Sequence, residues 1–442
     1  MKILQVTHGF PPKQIGGTQL YVRDLSRELC KLNEVHIFYP RYESGRWGIS
    51  HFPAEDLVVH ELSMPLGLFR LRFRATKLRS SYLHRKTEQI FAELLNMVKP
   101  DIIHVQHLLY LSASIIQVAK RANIPVVLSL HDYWFICPLI NLLKFNNEVC
   151  EGPSEDCRNC FACWNQGMAD AISDFLAQYN LTLKISRAPL NVVCKTRNPL
   201  NAFVNRTNYM KSLLSSVDKI IAPSKFLMNL FINFGVSSDK IIYSDKGYDL
   251  IRFKGFEKSR ATDRERLVFG YVGGMAKYKG LDLLIQAFNK IDRHNVELRI
   301  YGDYDLSSKS FLMTRSRIVN PNIRFVGRYE DVRKPYSEID ALVFPSICYE
   351  NRPLVLTESV IAKIPVIASN LGSIPELIED GKNGLLFKSG SQEDLYKKLM
   401  TIVENPDLLN NLQGGKQQVK SIQNQAEEIN KIYHDIQSGK ER

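Results

Sequence analysis

The strongest constraint on this chain is a rhythm: a short apolar run followed by a helical pattern, repeated, broken once and then resumed. In the first half the runs are "KILQVTH" before residues 18–32, "DIIHVQ" before 113–121, "IPVVLSLHD", and "DKIIAPS" before 225–234. Strands alternating with helices specify a mostly parallel sheet covered on both faces. After Tyr243 the pattern lapses into "SDKGYDLIRFKGFEKSRATDRER", polar and weakly periodic, which reads as a linker over 244–265. It restarts with "RLVFGYVGG", "VELRIYGD", "NIRFVGRY", "ALVFPS", "IPVIAS" and "GLLF". The expected fold is α/β, with two doubly wound parallel-sheet, Rossmann-like domains over 1–243 and 266–414. A last helical segment, 415–442, is expected to cross back to the first domain. At 442 residues the chain is long enough for two cores. Ligands of open sheets of this kind sit at the carboxyl ends of the strands, here in a cleft between the two domains.

An apolar fraction of 45% and a charged fraction of 24% are those of a folded globular protein. No apolar run reaches the length of a membrane-spanning helix, and "MKILQVTHGFPP" lacks the features of a secretory leader. Met1–Thr7 is therefore expected to be the first buried strand of a cytoplasmic protein. The net charge of +12 points to an anionic partner, which charge alone leaves open among nucleic acid, a phosphate-rich ligand and an acidic membrane surface.

The stretch "ICYENRPLVLTESV" (347–360) carries the most chemistry. It follows the strand "ALVFPS", so residues 346–352 form a loop at a strand's carboxyl end, and Pro353 is expected at the first helical position, where its missing N–H costs nothing. The N–H groups of Leu354 and Val355 then face the cleft as an anion site, reinforced by the helix dipole. Glu350 lies before that site and Glu358 a turn and a half into the helix. Two carboxylates bracketing a phosphate site suit a ligand with hydroxyls at both ends of a diphosphate, which describes a nucleotide sugar. The bland alternative is two solvated glutamates. Against it, Glu358 sits among Leu356, Val360 and Ile361, where an unpaired carboxylate is costly.

Glu350 to Glu358 resembles the E-x7-E signature of family 4 of the retaining, nucleotide-sugar-dependent glycosyltransferases, which have the two-Rossmann GT-B fold. "GGTQLYVRDLSREL", "DIIHVQH", "VVLSLHD", "VDKIIAPSKF", "KGYDLIRF", "YVGGMAKYKGLDLLIQAF" and "IPVIASNLGSIPELIEDGKNGLLF" resemble the same family in the same order. The resemblance implies that Glu358 binds the donor ribose and Glu350 holds the transferred sugar, with Asn351, Pro353, Leu354 and Val355 along the sugar and diphosphate. It implies that Lys279 grips the diphosphate, that Gly17 approaches from across the cleft, and that His131, at the end of "VVLSL", lies near sugar and acceptor. The implied reaction is transfer with retention to a glycan or lipid-linked acceptor, in cell-surface polysaccharide synthesis. The leaving diphosphate would serve as base, with no catalytic metal required. One departure stands out: family members commonly carry an arginine where this chain has Gly274, which leaves three readings open, namely substitution by Lys277, assistance by a metal ion, or a lower donor affinity.

Cys137, Cys150, Cys157, Cys160 and Cys163 crowd one segment, with short C-x2-C spacings. Such spacings suit a tetrahedral structural zinc site, with Cys137, Cys150, Cys157 and Cys160 preferred and Cys163 spare. Five unmetallated thiols are the alternative. Residues 68–86 interleave Arg70, Arg72, Arg74, Lys77, Arg79, Arg85 and Lys86 with Leu68, Phe69, Leu71, Phe73, Leu78 and Tyr82. That pattern fits either peripheral docking on an anionic membrane or a solvated helix face. Two rival functions are a nucleotide-sugar epimerase of similar fold and a non-catalytic polyanion-binding relative. No aromatic and basic platform for single-stranded nucleic acid is present.

Overall fold

The computed structural model describes residues 1–43, 47–65, 78–144, 146–166, 200–258, 266–304, 309–412 and 419–439. Most of the basic segment, 66–77, lies outside them. Of its described end, Leu78 and Tyr82 are buried in the core.

The first sheet contains β1 (Lys2–Val6), β2 (Glu34–Glu43), β3 (Gly48–Ala54), β4 (Leu57–Pro65), β5 (Ile102–Val105), β6 (Val126–Ser129), β7 (Lys219–Ala222) and β8 (Ile241–Tyr243). Their spatial order is β3-β4-β2-β1-β5-β6-β7-β8, parallel throughout except for β3 against β4. The second sheet contains β9 (Leu267–Val272), β10 (Val296–Tyr301), β11 (Ile323–Gly327), β12 (Ala341–Phe344), β13 (Val366–Asn370) and β14 (Gly384–Lys388). Its order, β11-β10-β9-β12-β13-β14, is wholly parallel and reverses direction between β9 and β12. Strands flanked by helices on both faces lose both side-chain rows to the interior, which is why β5, β6, β7 and β12 are buried at every residue.

Helix ends follow local chemistry. Ser224 caps the Lys225–Phe234 helix by accepting the Leu227 N–H, and Gly235, at φ 113°, ends it in the left-handed region. Ser421 caps the last helix, Ile422–Gln437, in the same manner. That helix is amphipathic and packs Ile422, Ala426, Ile429 and Tyr433 against Tyr21, Val22, Leu25 and Leu29 of the Gly17–Leu29 helix. The chain therefore finishes on the core of the first sheet, and the two units are joined twice, by this return and by the segment after β8.

That segment is less solvated than its composition suggests. Tyr248 is 3% exposed and pairs with Ser421 through a backbone bridge, and Leu250–Phe253 forms a 3-10 turn capped by Asp249. A polar stretch without periodicity reads as linker because side-chain pattern is the only sequence signal; here the polar groups are spent on tertiary contacts instead.

Candidate active site

The carboxyl ends of β1, β6, β8, β9, β12 and β13 converge on one cleft, each delivering a polar loop. The loop after β12 is fixed first. The left-handed Arg352, at φ 55°, turns the chain, and the helix Leu354–Ile361 follows with Pro353 as its cap residue, one position earlier than the first helical position expected for it. The N–H groups of Leu356 and Thr357 return to the Pro353 carbonyl, and Arg352 N–H donates to Ser373 Oγ. Among the described residues nothing accepts from the N–H groups of Leu354 and Val355, which leaves an anion-binding helix end.

Glu350 is 8% exposed and its Oε1 accepts from Lys279 Nζ and Ser346 Oγ, both at 2.8 Å. Lys279 owes its place to Gly280, which adopts φ 74° and packs on Pro345 so closely that an added Cβ would lie 1.8 Å from the Pro345 carbonyl oxygen. Only glycine fits that approach. Burial pulls the Lys279 ammonium down, but the Glu350 carboxylate more than offsets it and holds Lys279 above the ordinary lysine range.

Glu358 is 6% exposed, and its two oxygens accept from Tyr248 at 2.9 Å and Tyr336 at 2.7 Å. Burial raises its pKa, opposed by these two hydroxyls. Each oxygen retains a lone pair for a further donor. Gly17 lies against the same helix start: a Cβ there would meet the Leu354 side chain at 3.6 Å.

His131 stands on the opposite wall. Gln106 donates its amide to Gln5 Oε1 at 2.9 Å, so its own oxygen accepts from His131 Nε2 at 2.8 Å, which assigns the proton to Nε2. Nδ1 is then a buried lone pair with no partner. Burial, with the charge of Lys246, keeps His131 neutral well below the ordinary histidine range. Beside it Asp132 accepts from His107 at 2.5 Å and from the Trp134 N–H at 2.8 Å. The His8 ring lies tilted against that of His107, with centroids 4.4 Å apart.

Three of the expected residues sit elsewhere or do something else. Lys277 is exposed and lines a groove of about 580 Å³ with Gly280, Ile347 and Ser389, next to the loops that carry Lys279 and Glu350. Asn351 bridges the cleft, accepting from Ser224 Oγ at 3.3 Å and donating to the Leu130 carbonyl at 3.5 Å. Gly274 has open space around its Cα, and its carbonyl accepts from Tyr271 at 2.6 Å. Residues that the pattern did not single out are Lys246, Tyr248, Tyr336, Ser346 and Ser373. Tyr248 and Lys246 fall within "KGYDLIRF", so the motif held the signal; the two serines carried none.

The zinc set is not assembled. Among the described residues no three His, Cys, Asp or Glu side chains are placed to share a metal ion. Cys137 and Cys150 pack against the core of the first sheet and Cys157 and Cys160 against Leu78, Trp164 and Phe203, close enough that the charges of Cys137, Cys150 and Cys157 act on Cys160. Cys163 is half-buried. Burial raises the Cys137 thiol to about 11 and pushes Cys160 up as well, so these thiols behave as small apolar side chains.

Two α/β units facing across a cleft at their strand ends, with an anion-binding helix start and a carboxylate-bound lysine between them, define a two-domain glycosyltransferase of the GT-B fold. Residues 15–149 match the family model "Glycosyltransferase Family 4" and residues 253–419 match "Glycosyl transferases group 1". The chain belongs to the family 4 glycosyltransferases. It is 26% identical over 306 residues to an uncharacterized glycosyltransferase of Methanocaldococcus jannaschii, covering 67% of this chain and 80% of that one. It is also 26% identical over 196 residues to the capsular polysaccharide biosynthesis glycosyltransferase CapM of Staphylococcus aureus, covering 43% of this chain and half of CapM. Among solved structures, sucrose-phosphate synthase from Thermosynechococcus elongatus superposes with a TM-score of 0.65 at 16% identity, covering 99% of both chains. Anabaena HepE in complex with UDP and glucose gives a TM-score of 0.63 at 16% identity, covering 98% of this chain and 99% of that one.

Proposed function

We propose that this protein transfers a sugar from a nucleoside-diphosphate donor to a glycan or lipid-linked acceptor, with retention at the anomeric carbon, in cell-surface polysaccharide synthesis. The observation that carries the reading is the Lys279–Glu350 contact beside the two free N–H groups that open the Leu354–Ile361 helix. A diphosphate placed there meets a helix N-terminus and a cation, with Glu350 in the loop before the helix and Glu358 within it to receive sugar and ribose hydroxyls. The UDP and glucose of the HepE complex and the capsular role in the name of CapM support the same donor and product classes.

In this reading the chain's own groups bind and orient. Lys279 and the helix start stabilise charge that grows on the leaving diphosphate, and its oxygen takes the acceptor proton. The Nδ1 lone pair of neutral His131 accepts a hydroxyl hydrogen of the sugar or acceptor, and Glu350 positions the sugar. Among the described residues no helix is long and apolar enough to cross a membrane. A cytoplasmic location, with peripheral docking through residues 68–86, is part of the proposal.

Thermal stability against UDP, ADP, GDP and their sugars tests it, with Glu358→Ala alongside. One base is expected to raise Tm in the wild type and to lose most of that effect in the variant. Absence of a shift with every nucleotide would refute the transferase reading.

A further inference from the structure

Lys246 follows β8 on the segment that joins the two units, and nothing assigned so far uses it. Its ammonium lies 5.6 Å from the ring of Tyr21, one helical turn after Gly17, and Tyr21 is itself 5.3 Å from the ring of His131. No hydrogen bond or ion pair reaches Lys246 Nζ from any described residue. A half-buried cation that Asp132, Asp245 and Glu350 act on only from beyond hydrogen-bond distance is costly to keep, and a ligand that bonds it directly would offset that cost.

Its neighbour Arg352 is in a similar state. It is 9% exposed, and its Nε and Nη2 both donate to Asp245, yet Nη1 is buried with no partner. Lys246 and Arg352 line one cavity of about 210 Å³, together with Tyr243, Asp245, Thr357 and Glu376. The carboxylates of this cavity are already engaged. Asp245 holds Arg352, and Glu376 accepts the N–H groups of Lys225 at 2.9 Å and Phe226 at 2.6 Å. What remains unsatisfied is donor capacity, so the missing group is an anion acceptor.

We propose that Lys246 and Nη1 of Arg352 form a second anion subsite on the hinge side of the cleft, and that a phosphate oxygen of the nucleotide donor fills it. The proposal rests on the transferase reading above and deepens it. Arg352 stands two residues before the free Leu354 N–H and Thr357 lies in the same helix, so the cavity shares its loop and helix with the site where the diphosphate is placed. Lys279 would flank the diphosphate on one side and Lys246 on the other. The loop after β9 has no side chain at Gly274, and of its two lysines Lys279 is held by Glu350 while Lys277 is exposed. Burial lowers Lys246 to about 8, so an arriving dianion would also hold it protonated.

The test is titration calorimetry of the full chain with the nucleoside diphosphate of the preferred base, the matching nucleoside by competition, and inorganic phosphate. Wild type is compared with Lys246→Met and Lys246→Arg. Lys246→Met is expected to weaken the diphosphate about tenfold and the nucleoside less than twofold, and Lys246→Arg to recover most of the loss. Wild-type diphosphate affinity should fall from pH 7 to pH 9, and that fall should be smaller in Lys246→Met. Equal losses for diphosphate and nucleoside would overturn the subsite, because Lys246 would then only shape the cleft. Inorganic phosphate binding that Lys246→Met abolishes, with diphosphate affinity unchanged, would overturn the donor as the source of the anion. If Lys246→Met does not fold, Lys246→Arg and the wild-type pH dependence decide. Wild type that binds no nucleoside diphosphate would refute the transferase reading itself, whereas wild-type binding with an unaffected Lys246→Met refutes only the subsite.

Discussion

Lys279 Nζ lies 2.8 Å from Glu350 Oε1, joining the loop after β9 to the loop after β12 at the point where the strand order of the second sheet reverses. The pair is partly buried, so each charge depends on the other. Lys279→Ala is expected to lower kcat/KM about 100-fold or more, the scale of losing one preorganised electrostatic group. Glu350→Gln should let the Lys279 pKa fall, since the carboxylate is what holds it up against burial. The alkaline limb of the kcat/KM profile would then move to lower pH; an unmoved limb would remove Lys279 from the reacting centre.

The Glu358 carboxylate depends on Tyr248 and Tyr336. Tyr336→Phe removes one donor from a buried anion and should cost about 1.5–3 kcal/mol of stability. If Glu358 receives the ribose, the same change weakens nucleoside binding as well as the diphosphate. A stability loss with unchanged nucleoside affinity would leave the glutamate structural.

Acid should destabilise the protein well before its carboxylates titrate. Burial lowers His8 and His104 to about 3, and His131 is also held well below its ordinary value. Because these folded-state values lie below the unfolded value of about 6.5, their contribution is complete above that pH and shrinks as pH falls beneath it. Each such histidine costs about 1.4 kcal/mol per pH unit in that window. Urea midpoints at pH 7, 6 and 5 should drop steeply, and His104→Gln should make the slope shallower.

Glu376 crosses between the two units and accepts two N–H groups at the start of the Lys225–Phe234 helix. Glu376→Ala should cost about 1 kcal/mol, as for a lost helix cap, and should let the units separate. Small-angle scattering would then show a larger radius of gyration in the nucleotide-free variant, restored by the donor. An unchanged radius would mean that Asn351 and the Arg352–Asp245 pair suffice to hold the cleft shut.

Metal removal tests the cysteine segment directly. With no three ligating side chains placed to share a metal among the described residues, incubation with a chelator should leave Tm unchanged. A fall of several degrees, reversed by zinc, would show that the thiols regroup around a metal.

Much of this was legible without coordinates. The alternation of buried runs and helical patterns dictates two parallel sheets, because a strand covered on both faces has to be apolar on both. "ENRPLVLTE" marks its own helix start, since proline and the loop before it leave the first N–H groups free. The order of the family motifs points to Glu350, Glu358 and Lys279.

Other features were decided only by the tertiary structure. Lys246 lies in a family motif, but its place beside Arg352 and Tyr21 is not readable from a polar stretch whose composition is the same whether it is solvated or folded into a cleft. The cysteine spacing suits a metal, yet spacing does not say which apolar cluster each thiol joins. Tyr336 and Tyr248 are separated by many residues and meet only on Glu358. Sequence patterns report local periodicity and burial, which β-strands and helices impose residue by residue. The partners of a buried charge come from distant loops brought together by sheet order, and that is information only the folded chain holds.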